Sequence, residues 1–208
     1  MIRTSNLSYS FNEQASLVYQ DWNVENAQHG LILGASGSGK TTLLHLLSGL
    51  LKIETGSVKL GGVELKDLST SEIDHFRGEN IGLVFQKPHL ISALSVRENI
   101  SLAVFLGRKK DQSERIDELL ISLGLQELSK RKIHEISQGQ AQRVSIARAL
   151  VNKPKVIFGD EPTASLDDES CEKVITLLQQ QAENYGATLV LATHDHRVKS
   201  HFSNKLIL

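Results

Sequence analysis

The stretch Gly34-Ala35-Ser36-Gly37-Ser38-Gly39-Lys40-Thr41 decides the fold. It follows a short apolar run, Gly30-Leu31-Ile32-Leu33, and opens into a segment where Leu43, Leu46, Leu47 and Leu50 recur at helical spacing. That order reads as strand, glycine-rich loop and helix with one buried face, ending near Gly49. In this context the stretch matches a phosphate-binding P-loop. Glycines let backbone N–H groups turn inward around phosphate oxygens, and the helix start adds favourable partial charge. Lys40 is expected to meet the β- and γ-phosphates as a point charge, and Thr41 to offer its hydroxyl to Mg²⁺. Gly34, Ser36, Gly37, Ser38, Gly39 and Thr42 complete the expected nucleotide cradle.

Outward from the loop, Leu17-Val18-Tyr19 reads as a short extended run, and residues 57–60 and 63–65 flank Gly61-Gly62 as a hairpin. Ile81-Gly82-Leu83-Val84-Phe85 reads as a buried strand. After Pro88 the periodicity turns helical for about sixty residues, the candidate inserted subdomain. Within it Ile116, Leu119, Leu120 and Leu123 form one stripe, Arg108-Lys109-Lys110-Asp111 a solvated turn, and Val144, Ala147 and Leu150 a later helix stopped by Pro154. Strand and helix then alternate: Val156-Ile157-Phe158, a helix through Val174, Leu177 and Leu178, residues 188–192, and Leu206-Ile207-Leu208. Continuously apolar strands alternating with helices imply a largely parallel sheet covered on both faces.

The chain has 208 residues, enough for one domain that buries roughly 70% of its unfolded surface. Lys and Arg number 23 against 24 Asp and Glu, a balance that argues against affinity resting on nucleic-acid phosphates. The single cysteine, Cys171, excludes an internal disulfide framework and reads as a bystander on a helix. No apolar run approaches the ~20 residues of a membrane span, and Met1-Ile2-Arg3-Thr4-Ser5 lacks a signal peptide's apolar centre. The expectation is a soluble cytoplasmic chain that reaches a membrane only through a partner.

Val156-Ile157-Phe158-Gly159-Asp160-Glu161 sets two carboxylates at the C-terminal end of an apolar strand, where open α/β sheets bind ligands. Alone the pair would be a solvated turn. Beside a P-loop, Asp160 is expected to hold Mg²⁺, directly or through water, and Glu161 to polarise the attacking water.

With these two motifs the sequence resembles the ATP-binding subunits of ABC transporters over nearly its whole length. Ile136-Ser137-Gln138-Gly139-Gln140 is similar to the family's signature sequence, and the resemblance implies that Ser137, Gly139 and Gln140 act on the γ-phosphate held by a second subunit. Gln138 stands where the family usually has glycine, which would weaken close backbone approach. The resemblance also makes Gln86 the coupling-loop glutamine on the magnesium side, with residues 87–90 and 95–100 facing a membrane partner. Ala164-Ser165-Leu166-Asp167 looks like the dimer-contact loop, where Asp167 would organise the opposing site or simply cap a helix. His194 resembles the switch histidine that bonds the γ-phosphate; metal ligation by His194 and His196 lacks a placed third ligand. Of Tyr9 and Phe11, which strand alternation puts on one face, the alignment favours Phe11 as the adenine-stacking ring.

The implied fold is α/β, a P-loop NTPase core with a mainly parallel sheet, an N-terminal antiparallel β portion and an inserted helical subdomain. Residues 1–208 form a single ATPase domain, with 1–86 and 155–208 as the core and about 87–154 as the helical part. The implied function is ATP hydrolysis in a dimer around two Mg²⁺-ATP, powering a separate permease from the inner face of the membrane. Within the family the sequence looks most like exporters and extractors of lipoproteins, macrolides and related amphipathic cargo. Relatives usually continue past the position of Leu208, so an abbreviated last sheet edge is expected. A soluble cassette acting on ribosomes or DNA would call for fused cassettes, a coiled coil or basic charge. A small-molecule kinase would leave Ser137 and His194 unexplained.

Overall fold

Four strands precede the first helix and three α-helices follow one another in the middle of the chain, of which a computed structural model describes residues 2–12, 15–163 and 167–208. Among them the strands are β1 (Ile2–Asn12), β2 (Ala15–Val18), β3 (Asn23–Val24), β4 (His29–Leu33), β5 (Thr55–Leu60), β6 (Val63–Glu64), β7 (Ile81–Val84), β8 (Val156–Asp160), β9 (Thr188–Thr193) and β10 (Asn204–Ile207). The α-helices are α1 (Lys40–Leu47), α2 (Thr70–Asn80), α3 (Val96–Leu106), α4 (Ser113–Ser122), α5 (Gln138–Leu150) and α6 (Asp168–Asn184).

The main sheet runs β10-β4-β9-β8-β7 with every pairing parallel. Its apolar runs are continuous because both faces are covered. Leu31, Leu33, Ile157, Leu189 and Leu191 enter one core with residues of α3, α4, α5 and α6. Their neighbours Ile32, Val156, Phe158, Val190 and Ala192 enter the other core, against α1 and the second sheet. In that second core Leu43, Leu44, Leu46 and Leu47 are buried, each contributing roughly 1.5–3 kcal/mol. Leu50, the expected fourth position of the stripe, lies past the helix end and is exposed, because Ser48 and Gly49 terminate the helix first.

The second sheet is antiparallel, ordered β2-β1-β5-β6 with β3 also on β1. The Gly61-Gly62 hairpin joins β5 to β6, and both glycines have positive φ, which residues with a side chain rarely adopt. Leu65 falls in a 3-10 turn after β6, and Tyr19 and Phe85 lie just beyond their strands. Among the strands and α-helices, three go beyond what the sequence marks: the full length of β1, whose polar-rich sequence hides it; β3, only 2 residues long; and α2, whose signal is the Ser69/Glu72 capping box rather than an apolar stripe.

Helices α3, α4 and α5 fall between β7 and β8. Ile116, Leu119, Leu120 and Leu123 are buried there, as their spacing predicts. α5 lies so close on β7 that a Cβ at Gly82 would sit 2.5 Å from the Ala149 carbonyl oxygen. Arg148 donates to the carbonyls of Pro88 and His89, binding α5 to the segment after β7. Among the described residues no helix is long and apolar enough to cross a membrane. The sheet edge expected to be abbreviated is β10, paired along β4 from Asn204 to Ile207.

Candidate functional site

At the carboxyl end of the parallel sheet, residues 34–39 turn from β4 into α1. Gly37 and Gly39 have φ of 80° and 95°, a region that favours glycine. Gly39 is also sterically confined, since an added Cβ would lie 2.8 Å from Leu17 Cδ1 and 3.1 Å from the Tyr19 hydroxyl. Gly34 sits at the base of the loop against Ser38, whose buried hydroxyl has no partner among the described residues. Tyr19 donates to the Gly39 carbonyl at 3.1 Å, and burial pushes its phenol up to about 12. No signal in the sequence marks Tyr19 or Leu17 as part of the loop, because their contacts are made across the fold.

Lys40 is almost wholly buried, with Nζ 2.9 Å from the Gly34 carbonyl, 3.0 Å from that of Ala35 and 3.4 Å from Glu161 Oε1. Thr41 Oγ1 donates to Asp160 Oδ2 at 2.9 Å. The other oxygen, Asp160 Oδ1, is buried without a hydrogen-bond partner among the described residues. Burial raises the Asp160 carboxyl above its ordinary value, and the Glu161 charge adds to this against the Thr41 hydrogen bond. A hydroxyl beside an orphaned carboxylate oxygen is a donor set that fits a hard, oxygen-seeking cation such as Mg²⁺.

Glu161 follows β8 with a φ of 47°, and its N–H bonds the Ala192 carbonyl at 2.8 Å. Its carboxylate accepts from Thr193 Oγ1 at 2.7 Å and the His194 N–H at 3.0 Å, and lies 2.7 Å from His194 Nδ1. Burial would raise its pKa, but the His194 and Thr193 hydrogen bonds, with the His194 and Lys40 charges, outweigh it and the net shift is downward. The group is thus ionised at neutral pH, as a proton acceptor must be.

A cleft of about 390 Å³ collects Phe11, Ser36, Gly37, Gly39, Lys40, Thr41, Thr42, Gln86, Glu161 and His194. Phe11 is 60% exposed at its mouth, with Tyr9 edge-on at 5.0 Å and packed toward the core. The fold does not bring Ser137, Gly139 and Gln140 into this cleft. Ser137 caps α5 by accepting the Gln140 N–H, and the Gln140 side chain returns to the Ser137 N–H. Ser137, Gln138 and Gly139 are exposed, and a Cβ at Gly139 would meet nothing within 4 Å. Asp167 is exposed just before α6; Ala164, Ser165 and Leu166 lie outside the described residues. Among the described residues no three His, Cys, Asp or Glu side chains converge on a metal position, and Asp195, between the two histidines, is held by Arg197. Cys171 is buried on α6, and burial raises its thiol.

A P-loop opening from β4 into a helix, a carboxylate pair at the end of β8 with β9 between the two strands, and a parallel sheet define a P-loop nucleoside triphosphatase. The sequence profile of the ABC transporter family matches residues 19–164. The chain is 39% identical over 199 residues to the bacitracin export ATP-binding protein BceA of Halalkalibacterium halodurans, covering 95% of this chain and 79% of that protein. It is 37% identical over 188 residues to the lipoprotein-releasing system ATP-binding protein LolD of Francisella tularensis, covering 88% of this chain and 81% of that one. Its fold matches the dimeric post-hydrolysis state of the ATP-binding cassette MJ0796 bound to ADP and Pi, with a TM-score of 0.88, 33% identity, and coverage of 100% of this chain and 94% of that chain. The chain belongs to the ABC transporter family, as an ATP-binding subunit with ATPase activity.

Proposed function

We propose that two copies of this subunit pair head to tail around two ATP molecules and drive a separate permease that exports or extracts an amphipathic or lipid-linked cargo. The observation that carries the reading is the placement of the signature residues. Ser137 and Gly139 stand exposed at the start of a 13-residue helix, outside the chain's own cleft. A helix start suits an anion, so a second copy is the natural source of the phosphate it meets. The dimer described for MJ0796 and the export and lipoprotein-releasing relatives support the same reading.

In this arrangement Phe11 stacks on adenine, the loop from Gly34 to Thr42 cradles the phosphates, and Lys40 neutralises charge at the β- and γ-positions. Thr41 and Asp160, with Gln86 at the cleft mouth, would hold Mg²⁺, whose charge would offset that on the phosphate oxygens. Glu161 accepts the proton of the attacking water and His194 orients it. From the other subunit Ser137, Gly139 and Gln140 close over the γ-phosphate, and Asp167 organises the opposing site. Gln138, in place of a smaller residue, limits how closely that helix start approaches. Residues 87–154, with Gln86 at their head, move as the part that faces the permease, which places the subunit on the cytoplasmic face of the membrane.

The test is affinity capture of tagged Glu161→Gln from gently solubilised native membranes with ATP and magnesium, with mass spectrometry of what co-purifies. A polytopic membrane protein in stoichiometric amount is the expected result. Ribosomal or DNA-associated components without a membrane protein would overturn the transport reading while leaving the ATP site intact.

A further inference from the structure

Thr193 belongs to none of the motifs above, yet it ends β9 with its side chain buried against the carboxylate that activates water. The two oxygens of Glu161 have different surroundings. Oε2 is bonded by Thr193 Oγ1 at 2.7 Å, whereas Oε1 lies beside His194 and Lys40. A hydroxyl has one proton and two lone pairs, and an ionised carboxylate only accepts. The Asp195 N–H takes a lone pair of Thr193 at 2.9 Å, and the hydroxyl proton is directed to Glu161.

Asp195 is itself fixed. Arg197 Nε donates to its Oδ1 at 2.9 Å and Nη2 to its Oδ2 at 2.7 Å, a two-pronged contact of the kind that holds direction as well as charge. The same guanidinium reaches Asp168 Oδ1 at 2.6 Å through Nη1, at the first residue of α6. The terminal torsion of a glutamate is broad and roughly two-fold, so an unanchored carboxylate exchanges its oxygens freely.

We propose that Thr193 is a positioning residue for ATP hydrolysis: it pins Glu161 through Oε2, keeps Oε1 on the nucleotide side, and is itself held by the Asp195–Arg197 clamp to the start of α6. The proposal rests on Glu161 as the base. In the step it serves, a water proton passes to Oε1 as the water oxygen bonds to the γ-phosphorus. The bond from that phosphorus to the bridging oxygen breaks, and ADP leaves with the electron pair.

The experiment compares Thr193→Val, Thr193→Ser and Glu161→Gln in phosphate release and in ATP affinity, measured by calorimetric titration. Removing the hydroxyl without changing side-chain volume is expected to lower kcat by about 10- to 100-fold through misplacement of the base. The ATP Kd is expected to stay within about 2-fold, the mark of an interaction that matters only in the transition state. Thr193→Ser, which keeps the hydroxyl, restores kcat. Arg197→Gln, at the more exposed end of the same chain of contacts, lowers kcat severalfold at unchanged Kd and carries the test if the buried substitution unfolds. A wild-type kcat in Thr193→Val, a Kd that weakens in step with kcat, or a serine variant as slow as the valine one would each overturn the proposal. Wild-type turnover in Glu161→Gln would instead remove the base itself, a failure distinct from that of Thr193.

Discussion

Thr41 Oγ1 and Asp160 Oδ2 are 2.9 Å apart, so the first turn of α1 is fastened to the end of β8 by one hydrogen bond between the two motifs. The fastening aligns a hydroxyl with a carboxylate whose second oxygen has no partner among the described residues. Asp160→Asn keeps an acceptor for Thr41 but removes the charge. Hydrolysis is expected to fall at least about 100-fold, the scale of a lost metal contact in phosphoryl transfer. Thermal unfolding without metal should be unchanged or raised, since burial disfavours the charged carboxylate. Phosphate release and melting scans with and without magnesium check both halves.

Lys40 places its ammonium among two loop carbonyls and Glu161. Lys40→Ala removes the charge-assisted contacts to phosphate, each worth about 1.5–3 kcal/mol. ATP affinity should therefore weaken by about 10-fold or more. An unchanged Kd in a calorimetric titration would take Lys40 out of the site.

Glu161→Gln keeps most of the side chain's shape and loses the proton acceptor. The variant is expected to bind ATP, turn over slowly and accumulate as a dimer, because closure is driven by binding and reopening waits on hydrolysis. Light scattering with saturating ATP and magnesium reads the mass directly. A monomer under those conditions would contradict a sandwich that forms without the permease.

His29 opens β4 with Nδ1 accepting the Leu189 N–H at 3.3 Å, so it is neutral in the fold. Burial lowers its pKa from 6.5, and the Glu183 carboxylate only partly opposes this. The unfolded chain thus binds more protons than the folded one in the window between the lowered folded value and 6.5, and stability falls as pH drops through that window. His29→Gln should remove this part of the pH dependence. Melting temperatures of both proteins at pH 8 and about pH 5.5 check it, the wild type losing more of its stability on acidification.

The P-loop, the Asp160-Glu161 pair and the parallel sheet were legible because each is local. A glycine turn, a strand end and a run buried on both faces announce themselves within ten or so residues. Helix α2 was not legible, because Ile73 and Phe76 are its only large apolar residues, too few for a stripe, and its capping box is the clearer mark. The expected burial of Leu50 failed for the opposite reason: the apolar spacing continues through Gly49, but the helix does not.

From the sequence alone came the chemistry of the site, because phosphate cradling and water activation depend on residue types held adjacent in the chain. What only the tertiary structure decided is which of those residues meet. It brings Phe11 from β1 and Gln86 from the end of β7 to one cleft, sets Tyr19 beneath Gly39, and leaves Ser137 outside. It also bonds Thr193 to Glu161 across 32 positions of sequence. Such contacts join elements distant in the chain, on adjacent strands for Thr193 and Glu161 and from different sheets for Phe11 and Gln86, a relation that periodicity and spacing do not carry, because it is set by sheet order and packing.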